Sequence, residues 1–194
     1  MKKLTTFKII AAALVSTIIS AGLGLRAEST EPTPESSVAS PSTALTPVYT
    51  VIKCNDGDTC RLKAADNTQV KVRLIGIDSP ENGKKRGKNK TKGQPGALEA
   101  KEFLNALIAG KNVLLKTYGV DMYGRNLAEI LFNNESVNLR MVTEGWAEVY
   151  RGKAPSGFDL TPFNQAELQA KQSKKGIWSF SDYESPKAWR KKNK

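Results

Sequence analysis

The chain has 194 residues, room for one domain of ordinary size plus tails. Its 30 Lys and Arg outweigh 19 Asp and Glu to give +11, a balance that favours polyanionic partners such as nucleic acid or an anionic membrane surface. With no histidine and two cysteines, it has no Ser-His-Asp triad, Cys-His pair, histidine base or His- or four-thiolate zinc site, so any catalysis rests on carboxylates, Lys, Arg, Tyr, hydroxyls or a hard metal ion on oxygen ligands.

Residues 1–27 read as an export signal. Lys2, Lys3 and Lys8 form a positive start, Ile9 to Leu25 is uncharged and mostly apolar, and Leu25-Arg26-Ala27 is an imperfect cleavage site. The expected location is therefore outside the cytoplasm: secreted, periplasmic or in the cell envelope. The alternative is an uncleaved N-terminal segment that anchors the protein to a membrane. Cleavage would remove four basic residues and no acid, taking the charge from +11 to +7. Residues 28–47 are Ser, Thr and Pro with few large apolar side chains, the composition of a disordered linker. The folded domain is expected over 48–182 and a basic tail over 183–194, with Arg190 to Lys194 a disordered end of weak non-specific affinity.

Within the domain, Val48 to Lys53 alternates like a strand, and Asn55-Asp56-Gly57-Asp58 signals a tight turn. Cys60 to Lys63 is a second strand and Gln69 to Ile77 a third, longer one. Ala97 to Ala109 is a helix, with Ala97, Ala100, Leu104, Leu107 and Ile108 on one face and Gly110 after its end. Val113 to Thr117 and Leu127 to Phe132 are two more strands. Val137 to Glu144 is a short helix closed by Gly145, and Thr161-Pro162 starts a third that ends at Gly176. Three strands, a helix, two strands and then helices predict an α+β domain: a five-stranded OB-fold β-barrel with three helices.

Cys54 and Cys60 flank the Asp56-Gly57 turn, so facing strands would bring them within disulfide reach, and an exported protein meets an oxidising compartment. Two small buried thiols are the other reading.

Three short stretches are candidates for chemistry. Taken singly, Asp56 to Asp58 is a hairpin turn, Asp78 to Glu81 the end of a strand at Pro80, and Tyr123 to Arg125 a glycine turn. In a small barrel the first turn and the end of the third strand lie close together. Asp58 and Asp78 would then offer two hard anionic ligands suited to Ca2+. Glu81, past a rigid proline, is placed to take a proton from a water held at the metal. Arg73 and Arg125 are planar forks for phosphate oxygens.

Asp56 to Thr59 (DGDT), Arg73 to Glu81 (RLIGIDSPE), Asp121 to Arg125 (DMYGR) and Gly176 to Trp178 (GIW) resemble, in order and spacing, the thermonuclease or staphylococcal nuclease-like family. The resemblance spans about residues 48–180. It implies an OB-fold barrel with three helices and a Ca2+-dependent nuclease that cuts DNA and RNA on the 5′-oxygen side to leave 3′-phosphates. It assigns Arg73, Glu81 and Arg125 as catalytic, Asp58, Asp78 and the backbone carbonyl of Ser79 as calcium ligands, Asp56 as an acid beside them, and Tyr123 as a contact to a terminal phosphate. Ser79 stands where threonine is frequent, a swap that a backbone ligand tolerates. Met122 stands where a basic residue assists the phosphate, so a weaker terminal grip is expected. Gly145 to Lys153 aligns loosely, and Tyr150 receives no base-stacking role.

Gly83 to Gly96 carries six basic residues and no acid, placed to draw in a polyanion. DNA and RNA are the expected partners of a monomer. The rival reading is a non-catalytic OB module that binds single strands, but the strands carry few of the aromatic platforms such a module needs. A second rival, a protein seated on anionic membranes, lacks an amphipathic basic helix within the domain.

Overall fold

The computed structural model describes residues 48–83, 85–86 and 89–193. The export segment and linker expected over 1–47 lie outside the described residues. The elements run β1 (Val48–Cys54), β2 (Thr59–Lys63), β3 (Gln69–Leu74), β4 (Ile77–Asp78), β5 (Lys85–Arg86), β6 (Asn89–Lys90), α1 (Ala97–Ile108), β7 (Asn112–Val120), β8 (Asn126–Phe132), β9 (Glu135–Ser136), α2 (Val137–Thr143), β10 (Glu148–Val149) and α3 (Thr161–Gln172). A 3-10 turn at Gly176–Ser179 and α4 (Pro186–Lys192) follow.

The first three strands form an antiparallel meander, β1 also pairs with β7, and β7 pairs with β8. A parallel pairing of β3 with β8, from Val72↔Asn126 to Leu74↔Ala128, closes the ring into a five-stranded barrel. This is the expected α+β OB-type barrel. Inward positions follow the two-residue period: Leu62 on β2, Val72 and Leu74 on β3, Ala128 and Ile130 on β8 are fully buried. Ala100, Leu104 and Ile108 of α1 complete that core, as their helical spacing requires. Each such large side chain contributes about 1.5–3 kcal/mol of burial.

One polar residue is bonded into the closure from within this apolar setting. Asn138, fully buried at the start of α2, accepts from Ile130 N–H at 3.0 Å and donates to the Ile75 and Ala128 carbonyls at 2.9 and 3.1 Å. Those backbone groups lie where β3 leaves the barrel wall beside β8.

The expected long strand Gln69 to Ile77 is broken. β3 stops at Leu74, Gly76 turns through φ +80°, and Ile77–Asp78 pair with β10 instead. Leu74, Ile75 and Ile77 are all buried, so the apolar run gave no alternation to mark the break. Gly76 also lies against a ring: a Cβ there would come within 2.4 Å of Phe158. Among the described residues there are four α-helices rather than three, because Pro186–Lys192, expected within a basic tail, is helical. The basic stretch 83–96 contains the β5–β6 hairpin. Cys54 and Cys60 face each other across β1 and β2 and are joined as a disulfide.

Candidate active site

Barrel register explains why distant motifs meet. Thr59, Arg73 and Leu127 lie side by side across β2, β3 and β8. Asp58 precedes the first by one residue and Arg125 the last by two, so both lie at the same rim. The Gly76 turn then brings Asp78 back to it. Gly57 lets the Asp56–Asp58 loop pack directly on this returning segment, since a Cβ there would meet Ser79 Cβ at 2.7 Å and Ala100 Cβ at 2.9 Å.

The outcome is a dense polar cluster. Asp58 is buried and accepts at Oδ2 from both Ser79 N–H and Ser79 Oγ at 3.0 Å, and at Oδ1 from Thr59 Oγ1 at 3.1 Å. Arg73 Nη2 lies between the acids, 3.1 Å from Asp58 Oδ2 and 3.5 Å from Asp78 Oδ1. Its fork is fixed by donation to the Leu74 and Ile77 carbonyls at 2.8 and 3.0 Å. Burial, then the charge of Asp58, pushes the Asp56 carboxyl up to about 7. Asn82 Nδ2 donates to the Asn55 carbonyl at 2.8 Å, tying the segment after Glu81 to the same loop.

Arg125 is aimed by its own hairpin. Asp121 accepts from Tyr123 N–H, Arg125 N–H and Arg125 Nε at 2.8, 3.0 and 2.7 Å. Burial would raise the Asp121 carboxyl, but these donors hold it below the usual carboxylate range. Arg125 Nη1 reaches Thr59 Oγ1 at 3.4 Å, and its guanidinium lies 5.5 Å from the Tyr123 ring centroid. Tyr123 and Met122 project into solvent at 74% and 88% exposure.

One cavity of about 660 Å³ gathers these groups: Asp56, Asp58, Arg73, Asp78, Glu81, Tyr123 and Arg125 all line it. Ser79 lines an adjoining recess with Asp56, Asp58 and Glu81. Every residue singled out in the sequence for chemistry thus faces one rim, and Tyr150 joins them.

Two further residues of the site were missed. Gln94 is buried, accepts from Glu81 N–H at 3.1 Å and donates to the Glu184 carbonyl. Arg190 of α4 contacts Asp78 and Glu81 together. In sequence it is one cation in a basic run, and the Ser185-Pro186 pair before it is the signal of a helix start that could have found it.

The donor chemistry fits a hard divalent cation. Asp58 and Asp78 are buried acids sharing one arginine nitrogen, the Ser79 backbone N–H is bonded to Asp58, and both thiols are locked in a disulfide. Among the described residues no three Asp, Glu, His or Cys side chains cluster closely enough to hold a metal by themselves. Carbonyl oxygen and water would therefore complete the shell, as Ca2+ permits.

The model of the staphylococcal nuclease homologue family matches residues 71–180. The chain belongs to this family. By that membership it is a hydrolase of the nuclease class. Over 144 residues it is 33% identical to an uncharacterized endonuclease of Haemophilus influenzae, covering 74% of this chain and 73% of that one. It is 34% identical over 130 residues to the probable endonuclease LCL3 of Kluyveromyces lactis and 32% over 127 residues to that of Eremothecium gossypii. The chain spans just under half of these two relatives, 47% and 45%.

Proposed function

We propose that the protein is an exported, monomeric, Ca2+-dependent nuclease that hydrolyses phosphodiester bonds of DNA and RNA on the 5′-oxygen side, leaving 3′-phosphates. The observation that carries this reading is the shared cavity of Asp58, Asp78, Glu81, Arg73 and Arg125. Asp58, Asp78 and the Ser79 carbonyl would hold the cation, which when bound polarises the scissile phosphate and makes nearby water more acidic.

The chain's own groups do the rest. Glu81 accepts a proton from the attacking water, whose oxygen bonds to phosphorus opposite the departing 5′-oxygen. Arg73, tied to two carbonyls and two carboxylates, meets the gathering negative charge at no further cost of ordering. Arg125, held at Nε by Asp121, offers its remaining N–H groups to the phosphoryl oxygens. The exposed Tyr123 contacts a terminal phosphate, with no cation at Met122 to assist it.

The test is digestion of plasmid DNA and of RNA by the full chain, with Ca2+, Mn2+, Mg2+ or EDTA. Cleavage that EDTA abolishes, yielding ends that a 3′-phosphatase must treat before extension, is the expected result. Glu81→Gln should keep the fold and lose about 10²- to 10⁴-fold in turnover. Tight binding of single strands without cleavage would instead make the domain a binding module.

A further inference from the structure

The C-terminal segment is built into the active site. Tyr183 Oη donates to buried Glu148 Oε2 at 2.8 Å, and the Tyr183 ring lies 4.6 Å from that of Trp178. The Glu184 carbonyl accepts from Gln94, which also holds the backbone N–H of Glu81. Ser185 caps α4 by accepting from Ala188 N–H at 3.2 Å, and Pro186 behind it is buried. None of these anchors involves Arg190, so the helix is docked independently of the contact it delivers.

That contact is a three-bond bridge. Arg190 Nη1 lies 3.0 Å from Asp78 Oδ1 and 2.7 Å from Glu81 Oε1, while Nη2 lies 2.7 Å from Asp78 Oδ2. The first and third bonds form a bidentate fork on a buried carboxylate, and Nη1 is shared with the second acid. Asp78 is also set from behind, because its strand partner in β10 is Glu148, the acceptor of Tyr183. The C-terminal segment therefore grips the β4–β10 ladder at Glu148 and the site at Asp78 and Glu81.

We infer that Arg190 is a positioning residue of the reaction, holding the base Glu81 beside Asp78 by one carboxylate oxygen at the wall of the cavity. The inference rests on the reading of Glu81 as the base. Two carboxylates repel one another, and Glu81 sits on an irregular loop past Pro80. Without a bridging cation from the protein it would swing toward solvent. Lysine cannot replace the fork, since a single ammonium cannot meet three acceptor oxygens in this plane. Anchors that hold α4 without Arg190 favour a positioning role over a plug that must leave.

The test is a double-mutant cycle on the full chain with Arg190→Ala and Glu81→Gln, read as turnover with Ca2+ and, separately, as melting temperature in EDTA. Arg190→Ala should lower kcat about 10- to 100-fold, the usual cost of losing a partner that orients a site carboxylate, with KM nearly unchanged. Arg190→Lys should recover part of it. In the Glu81→Gln background the same change should cost little more, and the metal-free cycle should show coupling between the two positions. Lys191→Ala, one exposed residue further along α4, should leave kcat as it was. Additive losses, an effect confined to KM, or a rise in kcat on removing Arg190 would each overturn the inference. A fully active Glu81→Gln protein would overturn the functional reading beneath it instead.

Discussion

The site has two halves that are built differently. One is carried by the barrel: Asp58, Arg73 and Arg125 stand on adjacent strands or their hairpin ends, and ladder register brings them together. The other comes from outside the barrel. Asp78 and Glu81 follow the Gly76 turn, and their arginine arrives on a helix more than a hundred residues later. The first half is fixed by backbone hydrogen bonds that every barrel of this kind must make. The second depends on side-chain contacts: Tyr183 with Glu148, Gln94 with the backbone of Glu81 and Glu184, and Arg190 with two acids. Geometry at the barrel rim should survive loss of a rim side chain, whereas in the outer half a lost side chain should also loosen its neighbours.

Removing Arg125, the proposed phosphate donor of the barrel half, should have a large effect on turnover and little on stability. Arg125→Ala should reduce kcat about 10²- to 10³-fold, by analogy with deletion of a transition-state donor worth about 2.7–4 kcal/mol. Its melting temperature should hardly move, because the guanidinium makes its closest bond to Asp121, four residues away within one hairpin. Steady-state kinetics and a thermal melt on the same sample decide it. A melting drop as large as that of Arg190→Ala would erase the distinction between the halves.

The barrel half should fail through its closure rather than its rim. Asn138→Ala would leave the Ile130 N–H and the Ile75 and Ala128 carbonyls short of a partner in a fully buried place. Each unsatisfied group costs about 1–3 kcal/mol. A destabilisation of about 2–4 kcal/mol, less than full additivity because the Ala128 carbonyl still accepts from Ile75 N–H, should appear in urea unfolding. Turnover per folded molecule should change less than stability does. An unaltered unfolding midpoint would show that the β3–β8 ladder closes without Asn138.

The same division decides what the sequence reveals. Strands β1, β2, β3 and β8 and helices α1 and α2 are legible because burial of one face imposes a period of two or of 3.6. The motifs at Asp58, Arg73, Asp78, Glu81 and Arg125 are legible because few arrangements place acids and arginines beside turn residues at these spacings. The Gly76 break is hidden, since an apolar run buried on both faces has no period to lose. Arg190 is hidden for another reason. Its partners are set by tertiary docking, and the sequence around it, Lys187 to Lys192, is that of a solvated basic end. Only Pro186 and Trp189 distinguish it from a disordered tail, and neither points at an acid.

The outer half has a second support, and it offers the smallest and most specific test. Glu167 of α3 is buried, accepts from Val149 N–H in β10 at 2.8 Å, and pairs with Arg151 and Lys171. Since β10 pairs with β4, which carries Asp78, Glu167 steadies the ladder that presents a candidate site acid. Burial would raise this carboxyl, but the Arg151 and Lys171 bonds, with Val149 N–H, hold it below the usual range. A depressed folded value means the contribution is present above the unfolded glutamate value, near pH 4.3, and is lost as pH falls through the folded value. Glu167→Gln keeps an acceptor for Val149 but loses the charge, so it should cost about 1–2 kcal/mol at neutral pH, within the range for hydrogen bonds to charged groups once the half-exposed Arg151 and Lys171 return to water. The gap between wild type and variant should narrow as pH falls below about 4, because protonation then removes the same charge from the wild type. A gap that stays constant down to pH 3 would mean the bond to Val149, not the charge, is what Glu167 supplies to the ladder beneath Asp78.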